Sequence, residues 1–489
     1  MNRQFLYIWR YIMVTFIAGL AILIVGGAFY GKFCEKLLAP KSAETPALRF
    51  RNGIDFVPMG KWKNSLIELL NIAGTGPVLG PIQGILFGPV AFLTIPIGCV
   101  IGGAFHDYMS GMISLRNNGD QMPALVRRYL GKTVYNVYNI FILLLIFLVG
   151  AVSVYTPGDL FVAQILGGSV SELNGQILLI YAVIFVYYFL ATLLPIDKII
   201  GKIYPVFGAI LLISAIGIFL GIFIKSYPLL EIWDTGFFGV HPRGENFIPL
   251  FFVTVACGIV SGVHSTQTTM ISRTLSSEKH GRSVFYNSMI AEGFIAMTWA
   301  AAAMGAVRLG VTDLDMLHDE SVAVIGIIAK NMLGEIGGGV AVLGVIVLAI
   351  TSGDTALRSL RIMLGDALSI DQTKKPKAVL LAGCIFAVVA VVLLLAKTNP
   401  SGFSILWRYF FWANETIAVF AFAMITVYMI RNRLPYLMAL VPGMFYMYII
   451  SSYILNAKIG AGLSWSISYI GAAICTIIFA LALVKYGKR

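Results

Sequence analysis

The stretch Asn71–Gln83, NIAGTGPVLGPIQ, decides how this chain is read. It lies inside an apolar run from Leu66 to Gly103 that is otherwise composed like a membrane helix. Within that run stand Gly74, Gly76, Pro77, Gly80 and Pro81. Proline removes a backbone donor, and glycine costs about 1 kcal/mol against alanine in a helix interior. In hydrocarbon, backbone groups freed in this way are tolerated only where protein buries them or where they line a cavity. The stretch therefore predicts a broken helix at membrane depth, either a substrate or ion site or a re-entrant packing segment.

The rest of the chain fits that setting. Of 489 residues, 58% are hydrophobic and only 12% charged, with a mean hydropathy of +0.87. This is the composition of an all-α polytopic membrane protein. A net charge of +12 would suggest nucleic acid in a soluble protein. Here the basic residues stand between apolar runs, where they set orientation, so the expected partner is the lipid bilayer and not nucleic acid. Cys34, Cys99, Cys257, Cys384 and Cys475 show no paired spacing and read as packing residues. After Arg3 and Arg10, the run Tyr11–Tyr30 exceeds the roughly 7–15 apolar residues of a signal peptide, which predicts an uncleaved first helix.

A polar segment, Lys32–Ser65, precedes the broken helix, expected at Leu66–Gln83. Helices are predicted at Ile85–Leu115, Val134–Tyr155, Gln176–Leu194 and Gly201–Ile224, completing a first group of five. After the polar segment Lys225–Asn246, a second group opens with Phe247–Met270, where Gly258 and Gly262 are expected to interrupt the helix. Helices at Val284–Val307, Gly337–Asp366, Ala378–Leu395 and Phe403–Ile430 complete it, and Leu434–Leu455 and Ala461–Val484 follow. Ser321–Leu333 is too short to span and reads as a re-entrant piece. The total is thirteen spans, organised as residues 1–64, 65–225, 247–430 and 431–489.

Loop charge tests this threading. Lys32–Ser65, Arg116–Lys132, Lys198 with Lys202, Arg273–Arg282, Arg358–Lys377, Arg431–Arg433 and Lys485–Arg489 hold most of the Lys and Arg. The alternate loops carry Asp159, Glu172, Glu231, Asp234, Asp313, Asp315 and Asp319. By the positive-inside rule the basic set is cytoplasmic, which puts the N-terminus outside and the C-terminus in the cytoplasm of a cell membrane. Five helices per half give the halves opposite orientations. Paired interrupted helices at corresponding positions are a sequence pointer to a secondary-transporter site.

At these interrupted helices the chain resembles the carbon starvation protein A (CstA) family. The likeness is carried by NIAGTGPVLGPIQG (Asn71–Gly84), GAFHDYMSGMISLRNNG (Gly103–Gly119), FVTVACGIVSGVHS (Phe252–Ser265), TSGDTALRSLRIMLGD (Thr351–Asp366) and LWRYFFWANETIA (Leu406–Ala418). It spans roughly residues 61–430. The resemblance implies a carrier of the amino acid–polyamine–cation superfamily with a LeuT-like five-plus-five inverted repeat. It also implies uptake of pyruvate or of peptides, driven by protons. One departure is Asn414-Glu415, where the family pattern has an amide pair.

The substrate is therefore expected at Asn71, Gly74, Thr75, Gly76, Gly258, Ser261, Gly262, His264 and Ser265, with Trp407 and Asn414 from the tenth core helix. Ionisable residues inside a membrane are costly and point to function. His106 and Asp107 are expected to relay protons or to serve as a structural acceptor pair. Thr351, Ser352 and Asp354 form an oxygen-rich cluster for ion coupling, and the resemblance implies a possible sodium at Thr351 and Ser352. Alternatively Asp354 pairs with Arg358 one turn on. Glu68, Glu292, Arg408 and Glu415 are gating or structural candidates, with Arg408 and Glu415 two turns apart on one face.

No cofactor and no catalytic constellation is expected. Gly131-Lys132-Thr133 lacks the earlier P-loop glycine, and Gly74-Thr75-Gly76 follows no strand. The competing classes are a gated channel and a nutrient sensor. A sensor would need an output module, which the tail Lys485–Arg489 does not supply.

Overall fold

A computed structural model describes residues 13–488 apart from 53–55, 171, 194–195, 238–240, 320, 369, 371–374 and 400–401. Arg3, Arg10, Leu194, Lys374 and Arg489 lie outside the described residues. The described chain is helical. Its long helices are α1 (Val14–Leu38), α2 (Lys61–Ile72), α3 (Gly76–Gly84), α4 (Ala91–Arg116), α5 (Lys132–Gln164), α6 (Gly175–Leu193) and α7 (Ile196–Ile224). They continue as α8 (Phe247–Ile259), α9 (Gly262–Ile271), α10 (Asn287–Arg308), α11 (Ser321–Ala367), α12 (Lys375–Thr398), α13 (Gly402–Arg431), α14 (Leu437–Asn456) and α15 (Trp465–Gly487). Eleven helical segments are long and apolar enough to cross a membrane, and the bent pair α2–α3 makes a twelfth. Within α7, Gly208–Ile224 is apolar.

The first break falls where glycine and proline predict it. Helix α2 ends at Ile72, Ala73 leaves helical geometry with φ −76° and ψ 76°, and α3 starts at Gly76 with Pro77 in its first turn. Proline is harmless there, because first-turn N–H groups have no intrahelical partner. The two halves bend by 52°. The second break falls between the two glycines expected to cause it. Gly258 lies inside α8, and the interruption is the extended pair Val260–Ser261, with φ −149° and −135°. Gly258 has a packing reason instead: a Cβ there would lie 2.8 Å from the Cβ of Ala296 on α10.

Helix α11 resolves a length problem. As one straight helix its 47 residues would run about 70 Å, over twice the ~30 Å hydrocarbon core. Gly334, at φ 72° and ψ 178°, breaks it into a short arm and a spanning helix, in keeping with the expected short piece Ser321–Leu333.

The loops sort by charge. At one end Arg116 binds Glu278 (3.0 Å) and the Leu38 carbonyl (2.8 Å), Arg282 binds Glu35 (2.9 Å), and Arg273 donates to the Gly119 carbonyl (2.8 Å). This end brings together the segments 32–65, 116–132 and 273–282. At the opposite, acidic end Glu231 accepts from the Val14 and Thr15 backbone N–H groups (2.7 and 2.8 Å) and so caps α1. There too Lys397 pairs with Asp159 (2.6 Å).

Candidate functional site

The two broken helices touch. On α3, Gly76, Gly80 and Gly84 recur every fourth residue and press against α8. A Cβ on Gly76 would lie 2.3 Å from both Cβ and Sγ of Cys257, and one on Gly80 would lie 2.8 Å from the Thr254 carbonyl. Small residues at this spacing let helix backbones approach closely in a membrane. Gly262, at the start of α9, is pressed in the same way against α13, 2.1 Å from the Asn414 carbonyl for an added Cβ.

Asn414 completes the second break. Its Oδ1 accepts from the Val263 backbone N–H (2.9 Å), one of the donors left free at a helix start, and its Nδ2 donates to Ser261 Oγ (3.0 Å). Ser265 turns its hydroxyl to the Gly262 carbonyl of its own helix (2.7 Å). At the first break, α3 has no side-chain cap. Asn71 Oδ1 and Ser352 Oγ are buried without a hydrogen-bond partner among the described residues. Ser352 Oγ lies 3.1 Å from where a Cβ on Gly74 would sit, so α11 and the first break meet at this point. Thr75 is buried beside them.

Beneath the breaks, four helices bring ionisable groups into one buried cluster. Asp107 on α4 is held by two imidazoles: His106 Nδ1 at 2.8 Å on Oδ1 and His264 Nδ1, from α9, at 3.0 Å on Oδ2. The other nitrogen of His264 faces Glu292 Oε2 on α10 at 3.4 Å. Glu68 on α2 lies within electrostatic reach of Asp107 and Glu292. All five side chains are buried. With both Nδ1 atoms bonded to a carboxylate, each imidazole carries its proton on that nitrogen. His106 Nε2 and both carboxyls of Glu68 and Glu292 have no hydrogen-bond partner among the described residues.

Buried hydroxyls stand beyond this cluster on two of the same helices, but Ser110 Oγ has no hydrogen-bond partner among the described residues, so they form no continuous chain from Asp107. Ser110 and Ser114 follow Asp107 along α4, and Thr268 and Ser272 follow His264 along α9 and the turn after it. All four are buried. Ser114 Oγ lies 2.7 Å from Ser272 Oγ and 2.7 Å from the Asp120 carbonyl at the loop.

The α11 candidates stand apart from the cluster. Asp354 pairs with Arg358 at 3.7 Å, one turn on, and Arg358 also donates to the Ala191 carbonyl. Thr351 Oγ1 donates to the Leu348 carbonyl (3.0 Å). Among the described residues no group of three or more His, Cys, Asp or Glu is arranged to hold a metal ion.

Arg408 and Glu415 do not pair. Seven residues of helix separate them by about 10 Å along the axis, and Arg408 binds Glu245 Oε1 (2.5 Å) while Glu415 is buried. Glu245 was not singled out from sequence; it stands in the polar segment 225–246, where a carboxylate is unremarkable. His241 and His318 join it at the acidic end, and Trp407 and Arg408 line a small chamber there with Gln83 and Thr254. Burial pushes the His241 imidazole below its ordinary value despite Glu245, and His318 and Arg408 push the same way.

The chain is 39% identical over 346 residues to an "Uncharacterized membrane protein" of Haemophilus influenzae, covering 61% of this chain and 90% of that one. It is 28% identical over 342 residues to the "Peptide transporter CstA" of Campylobacter jejuni, covering 58% of this chain and 48% of that protein. The same name is borne by a Mycobacterium tuberculosis relative, 25% identical over 551 residues, covering 86% of this chain and 71% of that one. The chain thus spans about half the length of the Campylobacter protein. The family model described as "Carbon starvation protein CstA" matches residues 11–164, 158–313 and 320–453, so the chain belongs to the carbon starvation protein CstA family.

Proposed function

We propose that this protein is a secondary active importer of a small carboxylate, pyruvate above all, working by proton symport with alternating access around the two broken helices. Residues 65–225 and 247–430 form the two halves of an inverted repeat in this reading, with the N-terminus outside, the C-terminus cytoplasmic and the acidic end facing out. The observation that carries it is the Asp107 carboxylate held between His106 and His264 with Glu292 behind (2.8, 3.0 and 3.4 Å). Ionisable groups inside a membrane are costly to bury without a function. The cluster touches both breaks, through Glu68 on α2 and His264 on α9, so a proton change there alters the forces between the halves.

The imidazoles on Asp107 support the proton as coupling ion, because histidine is a side chain suited to passing protons. The Ser352 and Asn71 oxygens at the first break support a sodium ion as the second reading, since hard cations take oxygen ligands. Peptide import is the alternative, supported by the names of the relatives from Campylobacter jejuni and Mycobacterium tuberculosis.

Uptake of labelled pyruvate and a labelled dipeptide into proteoliposomes, under an imposed proton gradient and then a sodium gradient, tests all of these. Pyruvate accumulation driven by protons supports the reading. Accumulation of the dipeptide alone reassigns the substrate, and dependence on sodium alone moves the coupling to Ser352 and Asn71. Conduction without accumulation would make the protein a channel.

A further inference from the structure

Two cavities adjoin at the acidic end. The deeper chamber, about 20 Å³, is lined by residues that include Gln83, Thr254, Trp407 and Arg408. The outer one, about 410 Å³, is lined at the mouth of α8 by residues that include Asn246, Phe247 and Tyr469. Phe87, His241 and Glu245 line both and form the partition. The deeper chamber has room for about one water molecule. The ion pair between Glu245 and Arg408 crosses the partition, with 20% and 34% of the two side chains exposed.

The chamber is rich in donors. Trp407 is 2% exposed, and its indole N–H has no hydrogen-bond partner among the described residues. Among the residues lining the chamber, Glu245 is the one carboxylate. The imidazole orientations are fixed by their neighbours. His241 Nδ1 accepts from the backbone N–H groups of Arg243 (3.3 Å) and Glu245 (3.4 Å), and its Nε2 faces Glu245 Oε2 at 3.8 Å. His318 Nδ1 accepts from the Arg243 guanidinium (2.9 Å), since arginine only donates. Arg408 is the one arginine or lysine among the residues lining the chamber.

We propose that this chamber is the first recognition site for the substrate's carboxylate group, with Arg408 as its receptor and Glu245 as a built-in competitor that holds the partition shut until a carboxylate takes its place. The inference rests on the carboxylate-importer reading and names the site where that substrate is first bound. A planar guanidinium accepts a carboxylate through two parallel hydrogen bonds, and the Trp407 N–H offers a third donor. A partly solvated ion pair is weak, so exchange of one carboxylate for another is inexpensive. Pyruvate and the C-terminal carboxylate of a peptide share this chemistry, whereas an uncharged amide does not.

The test is the concentration dependence of uptake by the full chain in proteoliposomes, for pyruvate and for a dipeptide, with pyruvamide and a dipeptide amide as competitors. Arg408→Gln is expected to raise KM at least about tenfold, the lower range for losing a charged hydrogen bond, and to let the amide compete as well as the acid. Arg408→Lys is expected to fall between, and Glu245→Gln to lower KM severalfold by removing the competitor. The substrate that shows these changes identifies the source of the carboxylate. Unchanged KM in Glu245→Gln and Arg408→Lys, with only the maximal rate reduced, would overturn the site and leave the pair a mechanical clamp, even if Arg408→Gln fails to fold. A second measurement separates this proposal from the carrier reading: the rise in melting temperature that pyruvate or the dipeptide induces. Protection lost in Arg408→Gln, with no uptake by the unaltered protein, would keep the site and defeat the carrier. Uptake with KM indifferent to all three variants would keep the carrier and defeat the site. Absence of both uptake and protection defeats both.

Discussion

At the second break the Asn414 amide reaches across from α13 and meets both Ser261 and the Val263 N–H (3.0 and 2.9 Å). At the first break α3 starts with no side-chain cap, and Asn71 Oδ1 and Ser352 Oγ have no partner among the described residues. Both interruptions free backbone groups at membrane depth, but among the described residues only the helix start at the second break donates to a side chain of another helix. A capped break resists change, because moving it exposes polar groups to hydrocarbon. An uncapped one can exchange partners at little cost. The difference suggests a division of labour, with the second break as the anchored pivot and the first as the part that responds to ligand or ion.

Four substitutions can break or sharpen that comparison. Gly76→Leu drives a branched side chain into Cys257, where even a Cβ would stand at 2.3 Å. It is expected to abolish uptake while membrane insertion persists, measured by proteoliposome assay and by yield in the membrane fraction. Normal uptake would mean that the contact between the two breaks is irrelevant to the cycle. Asp107→Asn removes the charge that both imidazoles face. Breaking a buried pair costs about 3–5 kcal/mol, so a large fall in melting temperature and loss of proton-driven uptake are expected; retained proton coupling would remove the cluster from the mechanism.

Asn414→Ala should cost about 1–3 kcal/mol, the penalty for a buried group left unsatisfied. Thermal melting reads this directly, and uptake is expected to fall only as far as the folded fraction does. A variant that melts normally would end the contrast between capped and uncapped breaks. Ser352→Ala removes an oxygen that has no partner, so stability is expected to shift by under about 0.5 kcal/mol. Its signature would be a changed dependence of uptake on the cation gradient. If both stability and ion dependence are untouched, the first break has no ion role at Ser352.

Much of this arrangement can be read from residues alone, for a physical reason. Glycine and proline in an apolar run carry a local cost that marks the first break, and the charge bias between alternate loops orders the spans. The second break lies two residues beyond Gly258 because Val260 and Ser261 supply it by adopting extended backbone, which no single residue type enforces. Glu68, His106, Asp107, His264 and Glu292 each stand out individually as ionisable residues in apolar surroundings. Their convergence does not, since spacing along a sequence reports neighbours on one helix and these come from α2, α4, α9 and α10. The Arg408 partner was missed for the same reason: Glu245 precedes it by 163 residues, and the spacing argument favoured Glu415.

Cys257 turns this packing into a clock. Its thiol is wedged against Gly76 between the two broken helices and is buried with the rest of the side chain. A thiol reagent can reach it only when those helices part, so its labelling rate would count those partings. Cys384 is exposed on the surface of α12, and its labelling follows the surroundings of the protein instead. The molecule thus carries its own stopwatch and its own control, with no cysteine introduced.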